Sequence, residues 1–171
     1  RDVQGKWRGS IAISGDLLTL DLAPFRSLSH RTVRIRTAIR LADVVAIESR
    51  LEAYAGTAMA MVNRSYRLVR RSGEPIFLFE DRAIGSNVEG VSHRNLAEEI
   101  ARRAGVRLRE LGMASGRLGF LGIARARAPA WRDAPISDDA QETVWRKVWF
   151  TGAIAAIALL VAVVIRLFTM A

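Results

Sequence analysis

The chain has 171 residues, a formal net charge of +9 and no cysteine. Disulfides, thiol nucleophiles and zinc–thiolate sites are therefore excluded. The basic balance admits a nucleic acid, an anionic lipid surface or an acidic protein as partner. No nucleic-acid-binding module accompanies it, so the lipid surface and the acidic protein lead.

In chain order, "GSIAISGDLLTLDL" (9–22) offers a strand, a Gly15–Asp16 turn and a second strand, which reads as a hairpin. "RTVRIRTAIR" (31–40) alternates Val33, Ile35, Thr37 and Ile39 against Arg34, Arg36 and Arg40, the period-two pattern of a half-buried strand with one basic face. "LADVVAIESRLEAY" (41–54) fits either a turn followed by a strand or a short helix. A second hairpin lies in "AMVNRSYRLVRRSGEPIFLFEDRAI" (60–84). Tyr66 and Leu68 lead into a turn in which Gly73 supplies positive φ, and Pro75 suits a strand start before Ile76 to Phe79.

"SHRNLAEEIARRAGV" (92–106) predicts an amphipathic helix. Ser92 is its N-cap, Leu96, Ala97, Ile100, Ala101 and Ala104 form its apolar stripe, and Gly105 ends it. Glu98 and Glu99 precede Arg102 and Arg103, the order that complements the helix dipole. Six or so strands followed by one helix predict an α+β domain, a curled antiparallel sheet covered by that helix.

The strand-rich stretch, "LADVVAIESRLEAY", "YRLVRRSGEPIFLFE" and "AEEIARRAGVRL" together resemble a bacterial pleckstrin-homology-like domain over residues 8–108. The resemblance implies a bent antiparallel barrel capped by one C-terminal helix, serving as a non-catalytic scaffold for proteins, peptides or lipid head groups. Eukaryotic lipid-binding versions carry a basic cluster between the first two strands. Here that loop is "SGDL", which puts specific phosphoinositide recognition in doubt. Arg64, Arg67, Arg70 and Arg71 on the later hairpin are the candidate contacts to head groups or an acidic partner, against the plainer reading of a solvated strand face.

Residues 109–137 read as a Gly/Arg/Pro linker or docking segment. Gly112, Gly116, Gly119 and Gly122 punctuate Leu118, Phe120, Leu121 and Ile123, beside Arg117, Arg125, Arg127 and Trp131. The spacing matches no phosphate loop. Apolar residues mixed with arginines suit a bilayer interface or a neighbouring subunit better than a free linker. Pro129 and Pro135 discourage regular structure, and Asp138 with Gln141 three residues later predicts the start of the last helix.

Residues 138–171 form a juxtamembrane and membrane-spanning helix. Val148 to Ile165 is without charge and spans about 27 Å at roughly 1.5 Å per residue, close to the ~30 Å apolar core of a bilayer. Trp145, Arg146, Lys147 and Trp149 mark one interface and Arg166 the other. Gly152, Ala156, Ala158 and Ala162 follow the small-xxx-small spacing that lets helices dock in lipid. Basic residues concentrate before the span, which places the N-terminal domain in the cytoplasm and the C-terminus outside, in the periplasm of a bacterium.

His30 and His93 stand in no metal-ligand spacing, and His93 reads as a surface residue. Glu80, Asp81, Glu98 and Glu99 read as hairpin-end and helix-surface charges. No nucleophile elbow appears. The sequence therefore points to a non-enzyme with no cofactor and no metal. It reads as a tail-anchored accessory or assembly subunit of a larger inner-membrane complex, whose partners are membrane lipid and other subunits, with no nucleic acid. The alternatives are a stand-alone tethered module that recruits an acidic protein or anionic lipid, and an enzyme whose site is not visible in sequence.

Overall fold

The computed structural model describes residues 9–27, 29–56, 60–82, 93–119 and 122–169. The first hairpin forms as its sequence requires. Strands β1 (Ser10–Ser14) and β2 (Leu17–Leu22) pair antiparallel with Ser14 opposite Leu17. β3 (Ile35–Arg40) joins the far side of β2. Leu18, Leu20, Leu22 and Ile39 are buried on one face, while Arg36 and Arg40 are exposed. Arg34 and Arg36 both donate to the Asp21 carboxylate on β2, at 3.1 and 3.2 Å.

The ambiguous stretch after β3 resolves into a single 3-10 turn, Leu41–Asp43, and a long strand β4 (Val44–Ala55). β5 (Ala60–Arg70) and β6 (Ile76–Arg82) continue as an antiparallel meander. The turn between them holds Gly73 at φ +86, and Pro75 lies just before β6, where its missing N–H interrupts no ladder. β6 is an edge strand. Its Phe77 and Leu78 carbonyls are taken by the buried guanidinium of Arg26, which also binds the carbonyls of Ala23 and Val33 at 2.8 and 2.7 Å. Burial lowers Arg26 to about 10, still protonated at neutral pH. A cation saturated by carbonyls thus blocks this edge against pairing with another chain.

Helix α1 (His93–Arg103) buries Ala97, Ile100 and Ala101, with Leu96 and Ala104 packed beside them. Ser92, its expected cap, lies outside the described residues. Its C-terminus closes as a Schellman motif. Gly105 takes φ +67, its N–H donates to the Arg102 carbonyl, and the Val106 N–H reaches back to Ala101 at 2.9 Å. A Cβ added at Gly105 would meet nothing, so Gly105→Ala isolates the cost of a left-handed backbone. A loss of about 1 kcal/mol is expected in the urea midpoint.

After α1 the structure departs from the antiparallel expectation. β7 (Leu108–Ser115) enters the sheet beside β4 and runs parallel to it, giving the order β6-β5-β4-β7. The cause is the helix itself. α1 carries the chain back over the sheet, and a strand that follows such a crossover runs in the direction of the strand that preceded it. The sheet is therefore mixed. The described strands form a three-stranded, a four-stranded and a two-stranded sheet, and no closed barrel.

Two apolar clusters share the α1 side of the four-stranded sheet. The larger joins the three-stranded sheet, Ile47, Tyr66, Leu68 and α1. The smaller lies at the other end of the strands, where Ala53, Ala60, Val62 and Met113 receive Val148, with Leu51, Ile136, Val144 and Trp145 around them. The segment expected as a linker carries most of β7 and a separate hairpin, β8 (Arg117–Gly119) and β9 (Gly122–Arg127). Helix α2 (Asp138–Thr169) then runs unbroken for 32 residues, about 48 Å at roughly 1.5 Å per residue. Its cap is Ser137, whose hydroxyl accepts the Ala140 N–H, one residue before the expected Asp138. Asp138 instead accepts from the Gln141 side chain.

Candidate functional site

Side chains on a strand alternate between faces. On β4 and β5 this puts Ile47, Leu51, Ala53, Val62, Tyr66 and Leu68 toward the two apolar clusters. It puts Glu48, Arg50, Glu52 and Tyr54, opposite Arg67, Ser65 and Asn63, on the reverse face. Ordinarily such a polar face meets water. Here Glu48, Arg50, Glu52, Asn63 and Ser65 are all buried, beneath residues of the 26–32 and 128–133 segments.

The centre of this face is the Glu52 carboxylate, with no exposed side-chain surface. It accepts Arg50 Nε at 3.0 Å and Nη2 at 2.9 Å, the Tyr54 hydroxyl at 2.6 Å, and His30 Nε2 at 2.9 Å from each of its oxygens. Arg50 spends its remaining donors on the linker, reaching the Ala130 carbonyl at 2.6 Å and the Pro129 carbonyl beside it. Trp131 then packs against two guanidinium groups, Arg50 and Arg67, each 4.3 Å from its ring centroid. Arg67 is in turn held by Glu48 at 2.6 Å, and His30 lies against the Phe77 ring at 4.4 Å. On the β6 side Ser27 donates to Glu80 at 2.6 Å.

Burial works to raise the Glu52 carboxyl. The hydrogen bond and charge of His30, the Tyr54 hydroxyl and the Arg50 charge outweigh it, and the carboxyl is held below its ordinary 4.5. The same burial, with Glu52 adjacent, pushes the Tyr54 phenol well above its ordinary range. A carboxyl lowered by folding contributes stability that is present above its unfolded value and is lost as pH falls through its folded value. Thermal unfolding midpoints should therefore hold from pH 7 to about 5 and fall below about pH 4. Glu52→Gln should flatten that acid limb.

Ser65, His30 and Glu52 invite comparison with a catalytic triad, and the geometry argues against it. Ser65 Oγ lies 3.5 Å from His30 Nε2, the same nitrogen that meets Glu52. A relay needs the acid on one ring nitrogen and the nucleophile on the other. Ser65 is also fully buried, out of reach of a substrate. Arg50, Glu52 and their neighbours make a clamp that fastens the segment before α2 to the sheet. Among the described residues no group of histidine and acidic side chains could hold a metal ion.

The four arginines expected as one basic contact surface are not brought together. Arg67 is turned into the clamp, whereas Arg64 lies on the opposite face, 3.5 Å from Glu110, a carboxylate it shares with Arg94. Arg70 donates to the Glu74 carbonyl within its own turn, and Arg71 is exposed. His93 is only partly exposed. It bonds Asp81 and stacks on Phe79 at 4.8 Å, while Tyr66 donates to the same carboxylate at 3.1 Å. Neither His93 nor Asp81 is the free surface group expected.

Helix α2 is long and apolar enough to cross a membrane, with a mean hydropathy of 2.7 over its most apolar stretch, of which 6% is buried. Its first turns belong to the domain. Val148 is buried and Trp145 is half-buried against the smaller cluster, so both are spent on the sheet rather than on lipid. Arg146, Lys147, Trp149 and Phe150 are exposed, and so is every residue from Ala153 to Leu167, including Ala156, Ala158, Ala162 and Arg166. A Cβ at Gly152 would meet nothing. Comparison with protein-family models, with curated proteins and with solved structures finds no match to the chain.

Proposed function

We propose that the protein is a non-catalytic, single-pass subunit of a larger membrane complex, holding a basic sheet domain against the bilayer surface. The observation that carries this is the division of α2. Its first turns are packed into the domain, and the rest is an apolar helix that no other described residue covers. In water such a helix would expose a large apolar patch, which marks a lipid or protein contact. Basic residues before the span favour a cytoplasmic domain and a periplasmic C-terminus, in the inner membrane of a bacterium. Ala156, Ala158, Ala162 and Gly152 are available for packing against other helices of the complex.

The buried clamp supports a scaffold over an enzyme, since its ionisable groups saturate one another. The likeness to bacterial pleckstrin-homology-like domains is carried by the strands that precede α1, whereas the parallel β7 after the helix departs from it. Respiratory, photosynthetic and transport assemblies are all suitable hosts. Extraction of native membranes in mild detergent, followed by native gel separation and mass spectrometry, tests the reading. Co-migration with a large complex through raised salt is expected. Migration near 18.9 kDa plus bound detergent would replace it with a stand-alone tethered module.

A further inference from the structure

The β8–β9 hairpin contains an arrangement that nothing in the domain explains. Arg117 and Arg127 are directly opposite each other across the two strands, and both are exposed. Facing side chains in such a pair stand roughly 5 Å apart at Cβ, and like charges so placed are destabilising. Neither has a carboxylate partner among the described residues. Other paired arginines of the domain have an acid between them: Asp21 serves Arg34 and Arg36, and Glu99 serves Arg102 and Arg103. The hairpin pair is left for an anion from outside.

Its position says which anion. Gly116, the residue before Arg117, donates its N–H to the Ala53 carbonyl at 2.8 Å, and Ala53 belongs to the cluster that receives Val148. Val148 is the last residue of the helix in that cluster, and from Ala153 to Leu167 every residue is exposed. The arginine pair therefore lies at the end of the sheet that seats Val148, the level at which α2 makes its last contact with that cluster. If α2 spans a bilayer, that level is the head-group layer. We infer that Arg117 and Arg127 form a seat for the phosphate of an anionic phospholipid in the leaflet that α2 enters. Two guanidinium forks can each offer paired donors to phosphate oxygens, and the anion relieves their mutual repulsion.

This inference rests on the anchor reading, and the test separates the two. The full chain is placed in bilayers of phosphatidylcholine mixed with phosphatidylglycerol, then released into mild detergent, and its retained lipids are counted by native mass spectrometry. The wild type should keep phosphatidylglycerol in excess over its share of the bilayer. Arg117→Glu replaces the repelling pair by a cross-strand ion pair, so it should unfold no earlier than wild type and yet lose that excess. Arg117→Gln/Arg127→Gln should lower retention by roughly twenty-fivefold, at about fivefold per arginine. Arg146→Gln/Lys147→Gln also removes surface charge but leaves the paired guanidinium groups, so it should cost clearly less retention. Undiminished retention in Arg117→Glu would overturn the seat, as would an equal loss in Arg146→Gln/Lys147→Gln. Release of the wild type by alkaline carbonate would sink the anchor, and the seat with it. Carbonate resistance without any lipid preference would sink the seat alone.

Discussion

Glu52→Ala is expected to destabilise the domain by about 3–5 kcal/mol, the range for removing one member of a buried ion pair. The number is large because the loss is not one contact. Arg50 would keep its positive charge, almost fully enclosed, with the Pro129 and Ala130 carbonyls and the Trp131 ring left to compensate it. His30 and the Tyr54 hydroxyl would lose their shared acceptor as well. Urea unfolding of the detergent-solubilised chain, followed by tryptophan fluorescence, measures this directly, because Trp131 lies against Arg50. Arg50→Met/Glu52→Leu, which removes both charges while keeping volume, should recover part of the loss. A shift below about 1 kcal/mol in Glu52→Ala would mean that the network carries little of the fold.

Gly116→Ala comes next in size, at about 3 kcal/mol, the upper end for forcing one extra carbon into a packed site. Its backbone is not in the left-handed region, so conformational freedom is not the issue. Space is. The added Cβ would fall 2.6 Å from Tyr54 Cδ1 and 3.0 Å from the Arg127 carbonyl. Tyr54 cannot swing aside cheaply, since its hydroxyl is bound to Glu52, and the Arg127 carbonyl is main chain. The variant thus strikes the clamp and the β8–β9 hairpin together. Compared with Gly105→Ala in the same assay, it should cost two to three times as much, although both replace one hydrogen by one methyl. A Gly116→Ala protein with unchanged stability would show that the hairpin yields freely at its base.

What the sequence made legible follows the reach of local rules. The two antiparallel hairpins rest on alternation and turn residues only a few positions apart, and β1–β2 and β5–β6 formed in those places. The helix over 93–103 was readable from its stripe and its terminal Gly105. The parallel entry of β7 was not, because it depends on where the chain lands after α1, with Leu108 beside Ile47 across more than half the domain. The clamp was hidden for the same reason. Arg50 and Glu52 lie in the stretch that fits either a strand or a short helix, and nothing local marks them as buried. His30, Pro129 and Trp131 bury them from far along the chain. Trp131, read with the segment's apolar residues as a bilayer or subunit contact, packs instead on Arg50 and Arg67 of its own domain. The basic hairpin misled in the opposite sense, since strand alternation puts Arg64 and Arg67, three residues apart, on opposite faces.

The seat of Val148 has a mechanical consequence. Because α2 is one helix from its cap at Ser137 to Thr169, and its first turns are part of the domain's packing, no hinge separates the two. Helices in bilayers tilt to match the local thickness. A change in thickness, or a push from a neighbouring helix, would swing the whole sheet domain as the long arm of a lever, carrying the β1–β2 end through an arc over the membrane surface.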